Sequence, residues 1–435
     1  MGIQNVTKQI LTPLATGLAQ QDWTIWQVER YLQRWLPAPL GKLAPALARD
    51  LMQAFPASVA PDAAQIIQHL KGNPVTEDLR VYAERTGARA IPPTASPVFR
   101  PAPALEGCEL PALSTPDDLA DWLALTPEQL TRFSDCMGLS ARTDGPFAPH
   151  YRHHFSPKPD GTWRLLEEPK PLLKRLQRRI LRDMLNHVPA HPAAYGFCPG
   201  RNAAMAAARH AGEAVVVSFD LAAFFPSIAQ HRVYAVFRRL GYPAAVAQHL
   251  TGLCTAITPL GVLNRSDLAA ADHLTARHLP QGAPTSPALA NLVAFALDTR
   301  LAGLARRIEA TYTRYADDLT FSGDGHIAAT LLRAVPQIVQ DCGFALNPQK
   351  TRRQNKSVRQ MVTGLVVNQH LNLPRPDYDL LKATIHHLGH PKDPRRSDAA
   401  FLIHLSGRIA WLEQINPVKG ARLRDRLADA LNAGG

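Results

Sequence analysis

The sequence predicts an α+β protein with a helical N-terminal extension. Three observations lead there. Apolar residues recur at helical spacing up to about residue 90. The run Val215-Val216-Val217-Ser218-Phe219-Asp220 reads as a buried strand that ends in an acid. Two short strand-like runs, Thr311-Tyr312-Thr313-Arg314 and Leu319-Thr320-Phe321-Ser322, flank Tyr315-Ala316-Asp317-Asp318 and read as a β-hairpin with a tight acidic turn.

The chain has 435 residues, room for two or three domains, and its 46% hydrophobic content supports a substantial core. Lys and Arg total 48 against 36 Asp and Glu, a formal net charge of +12. Such a surplus suits a polyanionic partner, either nucleic acid or an anionic membrane surface. Cys108, Cys136, Cys198, Cys254 and Cys342 are scattered with no C-x-x-C pair. That argues against a zinc module or a disulfide framework and fits a reducing, cytoplasmic setting. Residues Met1 to Gln9 lack the apolar core of a secretory signal, and no apolar run is long enough to span a bilayer, so no membrane partner is expected.

Residues 1–90 predict a helical accessory domain. Asp22 is placed to cap a helix carrying Ile25, Val28, Leu32 and Trp35, which Pro37 stops. Leu43–Phe55, Asp62–Leu70 and Thr76–Glu84 supply further helices. Trp23, Trp26, Tyr31 and Trp35 cluster here, as packing for a small bundle or as a binding surface. Residues 91–114 are Pro-rich and read as an extended linker. Thr115-Pro116 and Thr126-Pro127 then open two helices with Pro at the first helical position. Near the middle, Gln281-Gly282 precedes a long helix expected to be N-capped by Ser286, with Pro287 at its first position and Leu289, Leu292, Val293, Ala296, Leu297 and Leu301 inward.

An Asp-Asp pair at a turn is by itself compatible with a solvated surface turn, because Asp favours turns for local hydrogen-bonding reasons. It also suits divalent cations, and two of these about 3.5–4 Å apart can clamp the oxygens of a phosphoryl transfer. An acid closing an apolar strand, as at Asp220, is costly to bury unless it meets a charge or a metal.

In order and spacing, Asp220, the Gln281-Gly282 loop and the Asp317-Asp318 hairpin resemble the palm of a reverse transcriptase. Thr162-Trp163-Arg164-Leu165 and Leu173-Lys174-Arg175-Leu176-Gln177-Arg178 resemble its fingers, and Asn347-Pro348-Gln349-Lys350 its Lys-bearing motif. The resemblance covers about residues 115–430. It implies a right-hand polymerase, with fingers and palm over 115–375 and a helical thumb over 376–435. Asp220, Asp317 and Asp318 would be catalytic and would hold two Mg²⁺ ions, with the Leu221 carbonyl as a further ligand. Arg164 would grip the triphosphate of an incoming dNTP, Gln281 and Gly282 would line its sugar and base, and Phe225 would exclude a 2′-hydroxyl. Lys350 is implied as an acid for the pyrophosphate or a phosphate contact.

Val362-Thr363-Gly364, with Gly196-Phe197, Gly200-Arg201 and His210, is similar to elements of the bacterial retron branch. The Asn expected four residues before His210 is Ala206 here, and Asn202 stands out of register. That branch implies a cognate structured non-coding RNA as template and primer, priming from an internal 2′-hydroxyl, an RNA-linked single-stranded DNA product, a role in antiphage defence, and an effector protein from the same locus. Val362, Thr363, Gly364 and Arg408 would contact RNA. The alternatives are an unbranched defence-associated or group II intron-like reverse transcriptase, and a non-catalytic RNA-binding protein on the same palm.

Overall fold

The computed structural model describes residues 10–19, 23–56, 61–86, 98–139, 150–264 and 267–432. The chain divides into two compact units, Met1–Pro97 and Val98–Gly435.

The first unit is helical. Its helices are α1 (Thr12–Leu18), α2 (Ile25–Trp35), α3 (Ala44–Ala54), α4 (Ala63–Leu70) and α5 (Pro74–Thr86). Leu14, Val28, Leu32, Leu47, Leu51 and Ile66 form their shared core. Thr24 caps α2 by accepting from the Gln27 amide, whereas Asp22 lies outside the described residues. Asp62 and Gln65 close a capping box on α4. The tryptophans divide. Trp23 is buried and donates to the Phe55 carbonyl, while Trp26 is 66% exposed.

The second unit begins at Val98, not at Ser114. Residues 91–97 of the expected linker lie outside the described residues, and 98–114 form a packed strap. Arg100 N–H donates to the Gly241 carbonyl, the Phe99 ring stands 4.9 Å from Tyr242, and Leu105 and Leu110 join the main core. A Pro-rich segment makes few ladder bonds, but its apolar side chains still gain from burial. Capped helices α6 (Pro116–Leu123) and α7 (Pro127–Ser134) follow, then the antiparallel pair β1 (Tyr151–Pro157) and β2 (Trp163–Pro169). Helix α8 (Pro171–Asp183) buries Leu173, Leu176 and Ile180 and turns Arg175 and Arg178 outward.

After α9 (Ala203–Ala208) comes β3 (Val215–Asp220), then α10 (Gln230–Arg239) and α11 (Ala244–Cys254). The expected long helix is two, α12 (Ser286–Val293) and α13 (Phe295–Arg307), bent by 51°. Thr285 holds the N-cap position without a side-chain cap bond, and the expected cap, the Ser286 hydroxyl, instead donates to the Pro280 carbonyl. Strands β4 (Thr311–Tyr315) and β5 (Asp318–Gly323) form the hairpin, and α14 (Ile327–Asp341) and β6 (Arg352–Asn355) follow. The sheet order is β4-β5-β3-β6, antiparallel throughout. Both faces of β3 are covered. Val215, Val217 and Phe219 enter the main core, and Val216 packs with Val362, Leu365 and Val367. That double burial explains an unbroken apolar run.

A small hairpin, β7 (Met361–Val362) with β8 (Leu365–Val366), leads to α15 (Arg375–Leu388), α16 (Ala399–Ile415) and α17 (Pro417–Asn432). These last helices have their own core of Leu381, Ile385, Leu405, Ile409, Leu412 and Leu423. Among the described residues no single helix is long and apolar enough to cross a membrane; α12 and α13 together pass only by length and composition, and Leu289, Leu297, Leu301 and Leu304 from them sit in the main core.

Candidate active site

Asp220 and Asp318 are direct partners in the β3–β5 register, so the strand-end acid and the hairpin acids meet at one end of the sheet. The turn residue Ala316 adopts φ 56°, which lets two residues, Ala316 and Asp317, join strands paired at Tyr315 and Asp318. Backbone bonds lock this end. Leu221 N–H donates to the Asp317 carbonyl, Asn347 N–H to the Asp220 carbonyl, and Ala222 N–H to the Ala345 carbonyl.

The acids sit in a strongly negative spot. Burial, and then the Asp220 charge, hold Asp317 above the usual carboxylate range. Desolvation, then the charges of Asp317 and Asp220, push Asp318 up to about 6. The Lys350 ammonium stands 2.8 Å from Asp220 Oδ1, and that hydrogen bond raises its own pKa. Among the described residues no three His, Cys, Asp or Glu groups enclose a metal site as the side chains lie. The donor set nonetheless fits hard divalent cations: carboxylate oxygens on adjacent strand ends, with charges that disfavour each other's ionisation.

The other expected residues are placed as follows. Arg164 is exposed on β2, and its charge reaches Asp317. Glu167 N–H donates to the Gln281 carbonyl, which ties the Gln281-Gly282 loop to the strand carrying Arg164. Gly282 has φ 129°, and a Cβ there would come within 3.0 Å of the Glu167 carbonyl oxygen. Phe225 is half-buried, with its ring 5.5 Å from Phe224 and 6.1 Å from the exposed Phe197.

Val362 is corrected by the structure. It is 2% exposed in an apolar cluster with Leu365 and Val367, so its side chain packs in the core and is not offered to RNA. Thr363 and Gly364 form the β7–β8 turn, at φ 48° and 82°, and the Thr363 hydroxyl donates to the Ala203 carbonyl. Arg408 is half-buried on α16. Asn202 caps α9 by accepting from the Met205 amide. His210 is buried between Ser322 Oγ and Thr313 Oγ1, at 2.7 Å from each.

Sequence reasoning missed the buried supports. Glu167 accepts from His278 Nε2 at 2.7 Å and from the Thr258 hydroxyl. Burial is the largest single influence and lowers the His278 pKa, but the Glu167 hydrogen bond, the Glu167 charge and the bond to the Ala276 carbonyl together outweigh it and raise it. Asp298 and Arg314 form an ion pair with both side chains fully buried. Asp298 was traceable as an acid on the apolar face of α13, between Leu297 and Leu301.

An antiparallel sheet with carboxylates at one end, flanked by a fingers-like hairpin and a C-terminal helical unit, defines the palm of a right-hand polymerase. The family "Reverse transcriptase (RNA-dependent DNA polymerase)" matches residues 156–389. The retron Mx65 reverse transcriptase of Myxococcus xanthus is 42% identical over 283 residues, 64% of this chain and 64% of that protein. The Myxococcus xanthus retron Mx162 reverse transcriptase is 36% identical over 339 residues, 74% of this chain and 68% of that protein. The Escherichia coli retron Ec86 reverse transcriptase is 33% identical over 232 residues, 53% and 67% respectively. The chain spans just under two thirds of the Mx65 enzyme's length. It belongs to the reverse transcriptase family, in the bacterial retron branch.

Proposed function

We propose that the protein is an RNA-directed DNA polymerase that copies part of a structured RNA from its own locus into single-stranded DNA. The observation that carries this is the pairing of Asp220 with Asp318 on neighbouring strand ends, with Asp317 in the adjoining turn. Asp220, Asp317 and Asp318, with the Leu221 carbonyl, would hold two Mg²⁺ ions, which stabilise the attacking and leaving oxygens of phosphoryl transfer. Arg164 would bind the dNTP triphosphate, Gln281 and Gly282 would line its sugar and base, and the Phe225 ring would exclude a 2′-hydroxyl. Lys350 would hold the departing phosphates or donate a proton to them. Arg408 and the exposed turn at Thr363-Gly364 would meet the RNA backbone, with salt-sensitive affinity.

Membership of the retron branch supports the finer reading. Synthesis would start from an internal 2′-hydroxyl and leave the DNA joined to its RNA, in the cytoplasm, within a defence system that includes a separate effector.

The test of the polymerase is Asp317→Ala/Asp318→Ala. Mg²⁺-dependent primer extension should fall by at least about 10³-fold, and full activity in this variant would sink the assignment. The retron reading is tested separately, by sequencing and debranching the nucleic acid that copurifies with the wild type. Linear, unlinked DNA would count against it.

A further inference from the structure

Arg314 is the largest fully buried side chain of the described residues, and its partner Asp298 is equally buried. Taking such a pair out of water is expensive, and well-packed apolar residues often serve stability as well or better. The geometry around Arg314 shows what the pair is placed to do. Nε donates to Asp298 Oδ1 at 2.8 Å and Nη2 to Asp298 Oδ2 at 2.7 Å, a two-pronged grip. Tyr312 donates its hydroxyl to the same carboxylate at 2.8 Å. That leaves Nη1, which donates to Asn291 Oδ1 at 2.9 Å and to the Ala316 carbonyl at 3.0 Å.

Ala316 is the left-handed residue of the acidic turn, and its carbonyl belongs to the peptide plane that enters Asp317. A non-Gly residue keeps that conformation when its surroundings over-determine it. Here they do so from two sides. Arg314 holds the carbonyl, while Gly196 lies so close to Ala316 N that a Cβ on it would stand 2.6 Å away. Asn291 joins the two sides, since its Nδ2 donates to the Gly196 carbonyl at 3.0 Å. The guanidinium also lies 5.7 Å from the Phe224 ring, next to Phe225.

We infer that Arg314 is a positioning residue: its guanidinium, neutralised by Asp298 and steadied by Asn291, fixes the Ala316 carbonyl and so aims the Asp317 carboxylate. Lysine cannot replace it, because an ammonium lacks the planar fork that reaches Asp298, Asn291 and the turn carbonyl together.

This rests on Asp317 acting as a cation ligand, and the experiment separates the two. Full-length wild type, Arg314→Lys and Asn291→Ala are compared by thermal melting, by Mn²⁺ titration followed by electron paramagnetic resonance without nucleotide, and by primer extension. In folded Arg314→Lys, kcat should fall on the order of 10²-fold with KM for dNTP little changed. Mn²⁺ affinity should weaken by about tenfold. Asn291→Ala, which leaves the ion pair intact, should show the same pattern more weakly. Folded variants with wild-type kcat and wild-type Mn²⁺ affinity would overturn the inference, as would activity lost only in proportion to the unfolded fraction. If Arg314→Lys does not fold, Asn291→Ala decides by the same criteria. A wild type that binds Mn²⁺ but extends no primer speaks against the polymerase assignment, while the Mn²⁺ titration still decides the role of Arg314.

Discussion

The hairpin tipped by Ala316-Asp317 and the hairpin tipped by Thr363-Gly364 share a local design and differ in what holds them. Each turns on a non-Gly residue with positive φ, 56° at Ala316 and 48° at Thr363. The first tip is fixed by directional hydrogen bonds, from Arg314 of its own strand to the Ala316 carbonyl and from Leu221 N–H to the Asp317 carbonyl, and by the close backbone approach of Gly196 to its amide. The second is anchored mainly by apolar burial of Val362 and Leu365, with one hydroxyl bond from Thr363 to Ala203. Apolar burial is non-directional and holds an element in place. Hydrogen bonds with defined geometry also orient a peptide plane. Carboxylates that share cations need the second kind of support, and a surface turn does not.

Between the two tips, the larger expected effect follows from the closer contact. Gly196→Ala would put a Cβ 2.6 Å from Ala316 N and 3.2 Å from the Tyr315 carbonyl carbon. Both neighbours are backbone, so the turn itself must move. A displacement of about 1 Å at such a site costs on the order of 10²-fold in rate, and primer extension should fall accordingly while the variant remains folded by circular dichroism. Wild-type kcat in folded Gly196→Ala would show that the first tip tolerates movement, and the contrast between the hairpins would collapse.

Gly196 also marks where the sequence stops being legible. The strand ending at Asp220 and the acidic hairpin could be read locally, because alternation, turn chemistry and an acid after an apolar run are short-range signals. The contact between Gly196 and Ala316 joins residues far apart in the chain, and no local pattern announces it. Asp298 was half-legible, as a charge on a buried helix face, but its partner Arg314 looked like an ordinary strand residue. The bend at Ala294 was hidden because both α12 and α13 keep apolar residues at helical spacing. Val362 misled the reading for the opposite reason: a motif suggested contact with RNA, while its position opposite Val216 on the covered face of β3 made it core.

A second difference between the hairpins is their response to acid. His210 bridges β4 and β5 through Thr313 and Ser322, and burial, then the Arg209 charge, depress its pKa to about 3. In the unfolded chain the imidazole returns to its ordinary value of about 6.5. Between these values the unfolded state binds a proton that the folded state does not. The stabilisation is therefore complete above pH 6.5 and is lost as pH falls toward 3, at about 1.4 kcal/mol per pH unit. From pH 6.5 to 5 this group should remove about 2 kcal/mol. Urea unfolding of wild type and His210→Gln at pH 7 and pH 5 measures it: wild type should lose the additional stability and the variant should not. Equal losses would mean that His210 is not held neutral and that the acidic hairpin has no acid-sensitive clamp.

The smallest effect is expected at the second tip. Gly364 has φ 82°, and a Cβ there would meet nothing within 4 Å. Gly364→Ala therefore costs only the left-handed backbone penalty, about 1 kcal/mol, with no neighbour pushed aside. Its unfolding midpoint should drop slightly and any loss of binding should fall on RNA affinity, while kcat at saturating template–primer and Mn²⁺ affinity stay at wild-type values, because no contact of this turn reaches the carboxylates. The same one-methyl change is thus made at two glycines beside two positive-φ turns, and only the one that presses on Ala316 should cost rate. A loss of kcat in folded Gly364→Ala would show that movement of the β7–β8 turn reaches the acids. The most direct route is across β3, where Val216 packs on Val362 and pairs with Ser322 of β5; the two hairpins would then form one mechanical unit rather than two independently supported tips.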